Sequence, residues 1–309
     1  MTFVGDILLD TNYLPDEGYP FKYVEKILLE SDITVGNLEC PVSRRGYPNP
    51  VKNPASVASG HEYIFRASPK MADSLSNAGF DVMSLANNHT MDYGPEALLD
   101  TVDFLHSFNT GAIGAGRNIY DARSPYYIQI HDTLVAFLAY SEIVPYSYGA
   151  GQGSPGISVA SLDYNRDYFC EDIKKAKENA DIVVIYFHWG KERIFQADKI
   201  QRAFARKAVD MGADMVIGTH PHVIQGMERY KNGLIAYSLG NFVFNPSGES
   251  SKETIILKCI FEKEKLSHIN LIPVYIQRGK PVIATGERKN KIMERIRNLS
   301  AELGFNLTI

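Results

Sequence analysis

One stretch of the chain, Met215-Val216-Ile217-Gly218-Thr219-His220-Pro221-His222, places two histidines soon after a short apolar run. The run from Met215 to Ile217 has the composition of a buried strand. Pro221 stiffens the segment that follows, so that in an extended conformation both imidazoles lie on the same side of the chain. The stretch therefore predicts a strand that leads into a pair of metal-binding histidines.

The same arrangement recurs four more times, with a short apolar run followed by side chains that bind metals. The runs and their polar residues are Phe3-Val4 with Asp6; Ile33 to Val35 with Asn37 and Glu39; Val82 to Leu85 with Asn87, Asn88, His89 and Asp92; and Ile182 to Phe187 with His188. In open α/β sheets, ligands bind outside the carboxyl ends of the strands. The sequence therefore predicts that the five clusters share one crevice.

Three of the clusters have a simpler explanation when each is taken alone. Asp6 has the position of a helix N-cap, His89 that of a turn residue, and His188, which precedes Trp189, that of a packed core residue. However, four of the eight histidines fall in these clusters, and packing alone does not explain that distribution. We therefore favour a shared metal site.

The residue types indicate which metal such a site would hold. Asp, Glu, Asn and His ligands suit Mn²⁺, Fe²⁺ or Zn²⁺ better than a metal selected by thiolates. The three cysteines, Cys40, Cys170 and Cys259, are far apart in the sequence and odd in number, so no disulfide framework is expected. Carboxylates, amides and histidines around a divalent ion are typical of a metal-dependent hydrolase.

Apolar runs alternate with longer amphipathic segments along most of the chain, which is the pattern of an α/β fold. Helices are predicted at 21–30, 69–78, 95–108, 162–179, 198–211 and 287–303. A strand pair is predicted at 126–140, and strands without intervening helices at 234–239, 254–261 and 268–277. The second half is therefore expected to add an antiparallel sheet. The segment 142–161 has no periodicity and is predicted to be a functional loop.

The composition excludes several classes of protein. The chain has 309 residues, of which 45% are hydrophobic and 22% charged, as in a folded globular protein. Its net charge of −4 provides no positive field for a nucleic acid, so none is expected as a partner. The sequence contains neither an apolar stretch of the ~18–20 residues that span a membrane nor a signal peptide, so this chain is expected to be soluble. If an anchor precedes Met1, an extracytoplasmic location in the cell envelope is expected.

Six short motifs occur in a fixed order between about Thr2 and Phe244. They are Val4-Gly5-Asp6, Gly36-Asn37-Leu38-Glu39, Ala86-Asn87-Asn88-His89 with Asp92-Tyr93-Gly94, His188-Trp189-Gly190-Lys191-Glu192, Gly218-Thr219-His220-Pro221-His222 and Tyr237-Ser238-Leu239-Gly240-Asn241-Phe242. This ordered set resembles the capsule-biosynthesis protein CapA family, bacterial proteins associated with poly-γ-glutamate capsules. The family in turn is similar to the calcineurin-like metallophosphoesterases. The resemblance implies their fold, a four-layer α/β/β/α sandwich.

The resemblance also implies roles for single residues. The implied metal ligands are Asp6, Glu39 as a bridging carboxylate, Asn88, His188, His220 and His222. His89 matches the residue that protonates the leaving group in phosphoesterases, with Asp92 as its orienter. Leu8 stands where those enzymes carry an imidazole, and the Asn37/Glu39 pair replaces an aspartate. We therefore expect one tight ion at Glu39, Asn88, His188 and His220, and a second, weaker one at Asp6 and His222.

Around this site the resemblance implies a surface for an anionic substrate. The loops 41–66 and 142–161 are expected to overhang the crevice. The candidate substrate-binding residues are Asn37, Arg66, Lys191, Glu192 and Asn241, and Arg44, Arg45 and Arg193 are further cations that could hold carboxylates or phosphates. Each of these cations is equally well explained as solvated surface charge. We expect residues 1–280 to form the CapA-like domain and residues 281–309 a helical extension packed on it.

Two functional interpretations follow. In the first, the protein is a metal-dependent hydrolase or transferase of the phosphoesterase type, which acts on a cell-envelope polymer, poly-γ-glutamate or a precursor. In the second, the same crevice binds poly-γ-glutamate, or a membrane protein of the capsule machinery, without catalysis. The motifs around His89 and His220 favour the first interpretation, whereas Leu8 favours the second.

Overall fold

Two β-sheets lie face to face at the centre of the protein, whose computed structural model describes residues 1–15, 18–162 and 168–307. In these residues the first sheet has eight strands: β1 (Thr2–Ile7), β2 (Thr34–Leu38), β3 (Val82–Ser84), β4 (Gly111–Ile113), β13 (Asn241–Val243), β14 (Glu253–Glu262), β15 (Lys265–Gln277) and β16 (Lys280–Ile283). Their order is β16-β15-β14-β1-β2-β3-β4, with β13 also paired to β1. The strands β1 to β4 run parallel, as the alternating sequence pattern predicts.

The second sheet has six strands in the described residues: β6 (Tyr126–Ile130), β7 (Thr133–Ser141), β9 (Ile182–His188), β10 (Met215–Thr219), β11 (Met227–Tyr230) and β12 (Gly233–Ala236). Their order is β11-β12-β10-β9-β7-β6. The predicted strand pair at 126–140 is confirmed as the antiparallel pair β6–β7. Two short strands, β5 (Ala115–Gly116) and β8 (Gly156–Ile157), pair with each other outside these sheets.

Helices cover the outer faces of both sheets. The helices are α1 (Glu25–Leu29), α2 (Pro54–Ala58), α3 (Pro69–Asn77), α4 (Gly94–Ser107), α5 (Ile119–Arg123), α6 (Tyr168–Asn179), α7 (Lys199–Asp210) and α8 (Gly286–Ala301). Proline opens α3, and a capping box between Asp198 and Gln201 opens α7, which explains why both helices begin where the sequence predicts. None of the helices within the described residues is long and apolar enough to cross a membrane.

Three apolar cores separate the layers. Because side chains alternate along a strand, Phe3 faces the second sheet, whereas Val4 faces the helices α1, α3 and α4. In β9, Val184 likewise packs between the sheets, and Val183 packs against α6 and α7. This order of helices, sheet, sheet and helices confirms the predicted four-layer α/β/β/α sandwich. The C-terminal helix α8 adds Ile292 and its apolar neighbours to the core between the sheets.

Some predicted elements differ from those in the structure. The antiparallel strands β14, β15 and β16 do not form a separate sheet: β14 pairs with β1, through Phe3 and Leu257, and extends the first sheet. The strand predicted at 234–239 belongs to the second sheet and ends at Ala236. Beyond it, Tyr237 N–H donates to the Gly226 carbonyl, and Leu239 N–H donates to the Gly218 carbonyl of β10.

Three further predicted segments have different bounds or contents in the structure. The helix predicted at 21–30 is reduced to α1. The helix predicted at 162–179 is described from Tyr168, and residues 163–167 lie outside the described residues. The loop 142–161 contains a 3₁₀ turn at Tyr146–Tyr148 as well as β8.

Candidate metal centre

The five polar clusters meet at one edge of the two sheets. The parallel strands β1, β2 and β3, and the parallel pair β9 and β10, all end there. Within the first sheet, Asn37 Nδ2 donates to Asp6 Oδ1 at 2.8 Å, and Asn87 Nδ2 donates to Asn37 Oδ1 at 3.1 Å. Between the sheets, His188 Nε2 lies 2.8 Å from Asn88 Oδ1. The side chains that the sequence predicted to converge are therefore in contact.

The His220-Pro221-His222 segment is not extended, which corrects the sequence-based expectation. His220 and His222 have φ values of 92° and 54°, in the left-handed region that side chains with a Cβ rarely adopt. The backbone N–H of His220 donates to Asp6 Oδ2 at 3.3 Å, and the Pro221 carbonyl accepts a bond from Arg193 N–H at 2.7 Å. This turn still brings the two imidazoles together, with ring centroids 5.6 Å apart.

Glu39, His220 and His222 form the most compact set of potential ligands. One ligand atom from each lies within 4.8 Å of the other two. Among the described residues, neither carboxylate oxygen of Glu39 has a hydrogen-bond partner, and neither does His220 Nδ1, although all three atoms are buried. Leaving buried polar atoms unpaired is costly, and a cation would satisfy them. The residues therefore fit a divalent metal.

His188 and Asn88 are two further potential ligands beside the cluster of Glu39, His220 and His222. The Thr219 hydroxyl donates to the Phe187 carbonyl at 3.2 Å, so its lone pair accepts the Nδ1–H of His188 at 3.0 Å. In this tautomer Nε2 carries the lone pair that could bind a cation, and it faces the carboxamide oxygen of Asn88 at 2.8 Å; in the other tautomer Nε2–H donates to that oxygen. Two acceptors directed at each other are unfavourable without a cation. Glu39 Oε1 lies 3.7 Å from the same Nε2 atom.

The protonation of these groups is altered by burial and by their mutual contacts. Burial raises the pKa of Glu39 well above its usual value, and the Asp6 carboxylate adds to this effect. Burial also lowers the pKa values of His188 and His220 well below the usual value. At His222 burial acts in the same direction, but Glu39 and Asp6 outweigh it and raise the pKa to about 10. Without metal, His222 thus carries a positive charge that a divalent ion would replace.

The distribution of ligands differs in one respect from the expected pair of sites. His222 was expected with Asp6 at the weaker site, and its Nδ1 does lie 3.3 Å from Asp6 Oδ2. Its Nε2, however, lies 3.7 Å from Glu39 Oε1, which places His222 in the compact cluster as well. Leu8 is buried beside the cleft and provides no ligand atom where an imidazole was expected.

His89 and Asp92 lie beside this cluster. His89 Nδ1 is 2.8 Å from Asp92 Oδ2, and the His89 ring packs against Phe65 with centroids 4.4 Å apart. Burial lowers the pKa of His89, and Asp92 opposes the shift. A cleft of about 290 Å³ opens between His89 and His222. Its aromatic wall consists of Tyr13, Tyr63, Phe65 and Phe244.

The predicted substrate-binding residues occupy different environments. Asn37 is fully buried and bonded to site residues. Asn241 is also buried; its Oδ1 lies 2.8 Å from His222 Nδ1, and its Nδ2 donates to the Ser251 carbonyl. These amides therefore orient the candidate ligands. Arg66 lies over the Tyr93 ring, 3.3 Å from its centroid, and donates to the Gly46 carbonyl.

Charged residues of one loop reach the cleft itself. Glu192 and Arg193 line it, and Lys191, which precedes them, is exposed. Of the further cations, Arg45 pairs with Asp100. Sequence reasoning did not assign a role to Thr219, which orients His188, or to Lys52, whose Nζ lies 3.4 Å from Asp92 Oδ1. Thr219 stands inside a quoted motif, whereas Lys52 lies in a loop without any motif.

Comparisons with known proteins identify the family. A family model described as bacterial capsule synthesis protein PGA_cap matches residues 1–246. The capsule biosynthesis protein CapA of Bacillus anthracis is 32% identical over 311 residues, which cover 96% of this chain and 72% of that protein. The PGA biosynthesis protein CapA of Bacillus subtilis is 30% identical over 312 residues, which cover 98% and 78%.

A solved structure shares the fold. A hypothetical protein from Thermus thermophilus superimposes with a TM-score of 0.54 at 14% sequence identity, over 89% of this chain and 99% of that one. The family model and the two CapA relatives each extend over most of this chain. The chain is therefore a member of the bacterial capsule synthesis protein family PGA_cap.

Proposed function

We propose that this protein is a metal-dependent hydrolase or transferase of the phosphoesterase type that acts on a cell-envelope polymer or its precursor during capsule synthesis. The observation that carries the proposal is the buried, unpartnered carboxylate of Glu39 beside His220 and His222. The cleft next to it is lined by His89, whose Nδ1 lies 2.8 Å from the buried Asp92 carboxylate. A ligand set and a proton carrier beside one cleft are the parts that metal-assisted hydrolysis requires.

The chain's own residues have distinct tasks in this proposal. Glu39, His220 and His222 would hold a Mn²⁺, Fe²⁺ or Zn²⁺ ion, with His188 and Asn88 as further ligands. When bound, such an ion supplies Lewis acidity and lowers the pKa of water. Thr219 and Asn241 hold the Nδ1 atoms of His188 and His222, which directs both Nε2 atoms towards Glu39.

His89 would take up a proton on Nε2 and, as the imidazolium, donate it to the leaving group, which returns the ring to the neutral form with its Nδ1–H towards Asp92. Its Nδ1 faces Asp92, so its Nε2 is the atom available to a substrate. Phe65 covers the ring, which limits access of water to the imidazole. Geometry of this kind is typical of a general acid whose orientation is held by a carboxylate.

The relatives and the cleft support a proposal for the substrate class. One relative carries the name PGA biosynthesis protein, and the family model describes capsule synthesis. We therefore propose an anionic envelope polymer, such as poly-γ-glutamate, or its precursor as substrate, membrane proteins of capsule synthesis as partners, and the cell envelope as location. Arg193 offers the cleft a cation for a carboxylate or phosphate.

The test compares wild-type protein with Glu39→Gln after both have been incubated with Mn²⁺ or Zn²⁺. Turnover of bis(4-nitrophenyl) phosphate and the chain length of poly-γ-glutamate would be measured with each metal. We expect wild-type protein to act on at least one substrate and Glu39→Gln to lose both metal and activity. Equal activity of the two proteins would contradict the proposal.

A non-catalytic function of the protein is the second candidate. Leu8 favours it, because a leucine at this position leaves the region around Asp6 with one potential ligand fewer. In that case the crevice binds poly-γ-glutamate without cleaving it. Calorimetry would then show polymer binding that depends on the metal, while the polymer length stays constant. Shortening of the polymer by wild-type protein alone would exclude this second candidate.

A further inference from the structure

Lys52 is a mostly buried lysine outside every motif of the sequence. Its side chain is 11% exposed, and its Nζ lies 3.4 Å from Asp92 Oδ1. Lysine is rarely buried unless it is paired, because its ammonium group is strongly hydrated in water. Lys52 does not line the cleft, so its position is explained through Asp92 and not through a substrate.

The Asp92 carboxylate distributes its contacts over both oxygens. Oδ2 accepts the backbone N–H of Phe65 at 2.8 Å and lies 2.8 Å from His89 Nδ1. Oδ1 has no hydrogen-bond partner among the described residues and faces the Lys52 ammonium group. The Tyr148 hydroxyl is a further neighbour of this carboxylate: burial raises the pKa of Tyr148, and Asp92 adds to this effect. Lys52 is thus the charged contact of Oδ1, on the side of the carboxylate opposite His89.

The loop that carries Lys52 is fixed to the same turn. Asn49 N–H donates to the Asp92 carbonyl at 2.8 Å, and Asn49 Nδ2 donates to the Met91 carbonyl at 3.0 Å. Gly46 approaches so closely that an added Cβ would lie 2.0 Å from the Tyr93 carbonyl oxygen. The backbone of Lys52 is thus held in place independently of its charge.

We propose that Lys52 is a positioning residue, which fixes the Asp92 carboxylate so that His89 keeps its proton on Nδ1 and presents Nε2 to the cleft. Its effect on turnover rests on the proposed function, but its effect on the His89 tautomer does not. A carboxylate that holds a histidine tautomer is effective only while its own orientation is held. Lys52 supplies that constraint from the loop that precedes α2.

The tautomer can be observed directly in the full-length chain. Protein labelled with ¹⁵N-histidine and loaded with Zn²⁺ would be studied by long-range ¹H–¹⁵N correlation, with the His89 signals assigned by their loss in His89→Asn. We expect the Nδ1–H form in wild-type protein. Lys52→Met should mix it with the Nε2–H form and lower turnover by about 10–100-fold. Lys52→Arg should restore the Nδ1–H form of His89 and the turnover rate.

Two matched variants separate charge from loop anchoring. Lys26→Met removes a lysine whose side chain is 89% exposed, and it should change neither the tautomer nor turnover. Asn49→Ala removes the bond to Met91 without a change of charge, and it should leave the Nδ1–H form intact. Lys52→Gln provides the same comparison if Lys52→Met does not fold.

The proposal is overturned if Lys52→Met, or Lys52→Gln in its place, retains the Nδ1–H form at wild-type intensity. It is equally overturned if Asn49→Ala loses that form to the same extent, because loop anchoring would then explain the effect. If wild-type protein turns over no substrate, the proposed function fails, and the tautomer measurement still decides the role of Lys52.

Discussion

At the scale of single residues, His220 and His222 adopt a backbone conformation that is unfavourable for residues with a Cβ atom. A non-glycine residue in a sparsely populated region costs about 1–3 kcal/mol, and both histidines have positive φ values. The bonds from His220 N–H to Asp6 and from Arg193 N–H to the Pro221 carbonyl hold the turn. The turn directs two imidazoles towards one buried carboxylate, which is the arrangement that a metal site needs and a packed core does not.

We predict that His220→Ala abolishes tight metal binding, because it deletes a candidate ligand from the compact cluster. Calorimetric titration of wild-type protein should resolve one tight and one weaker divalent ion. His268→Ala, at an exposed histidine, is the control and should bind like wild type. Two equally tight sites in wild-type protein, or unchanged binding by His220→Ala, would refute this assignment.

We predict that His89→Asn slows turnover without loss of the metal. General acid assistance contributes roughly 10²–10⁴-fold to a rate, so turnover should fall by about that factor while the metal content stays constant. Metal analysis and thermal unfolding of the same samples separate loss of chemistry from loss of fold. Full activity in a variant that has kept its metal would remove His89 from the mechanism.

Much of the candidate site is predictable at this scale. The residue types after each strand indicated a shared crevice, and the contacts between Asp6, Asn37, Asn88 and His188 confirm that they converge. The left-handed turn at His220 was not predictable, because its stabilising bonds come from distant segments. Lys52 was missed for the same reason: its partner Asp92 lies in another part of the chain.

At the scale of elements, β1 is the strand that places the site. It lies between β2 and β14 and also pairs with β13, where Asp6 is in register with Asn241. This close approach depends on Gly5, since a Cβ there would lie 1.8 Å from the Gly240 carbonyl oxygen. The packing of β1 against β13 thus sets the distance between Asp6 and the residues that orient His222.

We predict that Gly5→Ala destabilises the protein by about 1–3 kcal/mol, since the backbone of Gly240 must move to admit the methyl group. Urea unfolding followed by circular dichroism would measure the change. Gly153→Ala is the matched control, because an added Cβ at that position meets no atom within 4 Å. Equal unfolding midpoints for the two variants would show that β1 and β13 can separate without cost.

The elements themselves were predicted better than their pairing. The helices α3 and α7 were predicted close to their observed bounds, because the proline and the capping box at their starts act within a few residues. The place of β14 beside β1 was not predicted, since it depends on a pairing between residues that are far apart in sequence, such as Phe3 and Leu257. Local patterns contain no information about that choice.

At the scale of the whole molecule, the candidate ligands come from both sheets. In the first sheet, Asp6 lies within β1, and Glu39 and Asn88 follow β2 and β3. In the second sheet, His188 is the last residue of β9 and His220 follows β10. A bound cation would therefore link the two sheets at the edge of their common core. Binding to the native state alone also raises stability, by about 2.7 kcal/mol at a ligand concentration of 100 Kd.

We predict that the protein behaves as one unit and that metal protects it as one unit. Limited proteolysis of the metal-loaded chain should yield no pair of independently stable halves divided between Asp92 and Ile182. The same digestion of His220→Ala should proceed equally fast with and without added metal. Two stable halves would instead assign the candidate ligands to separate domains.

The most direct test of the metal centre is anomalous diffraction at a metal absorption edge, combined with elemental analysis of protein purified without chelator. We expect one strong peak among Glu39, His220 and His222, and a weaker peak, or none, beside Asp6. A metal-replete crystal with no peak at Glu39, or with its strong peak elsewhere in the molecule, would contradict this expectation.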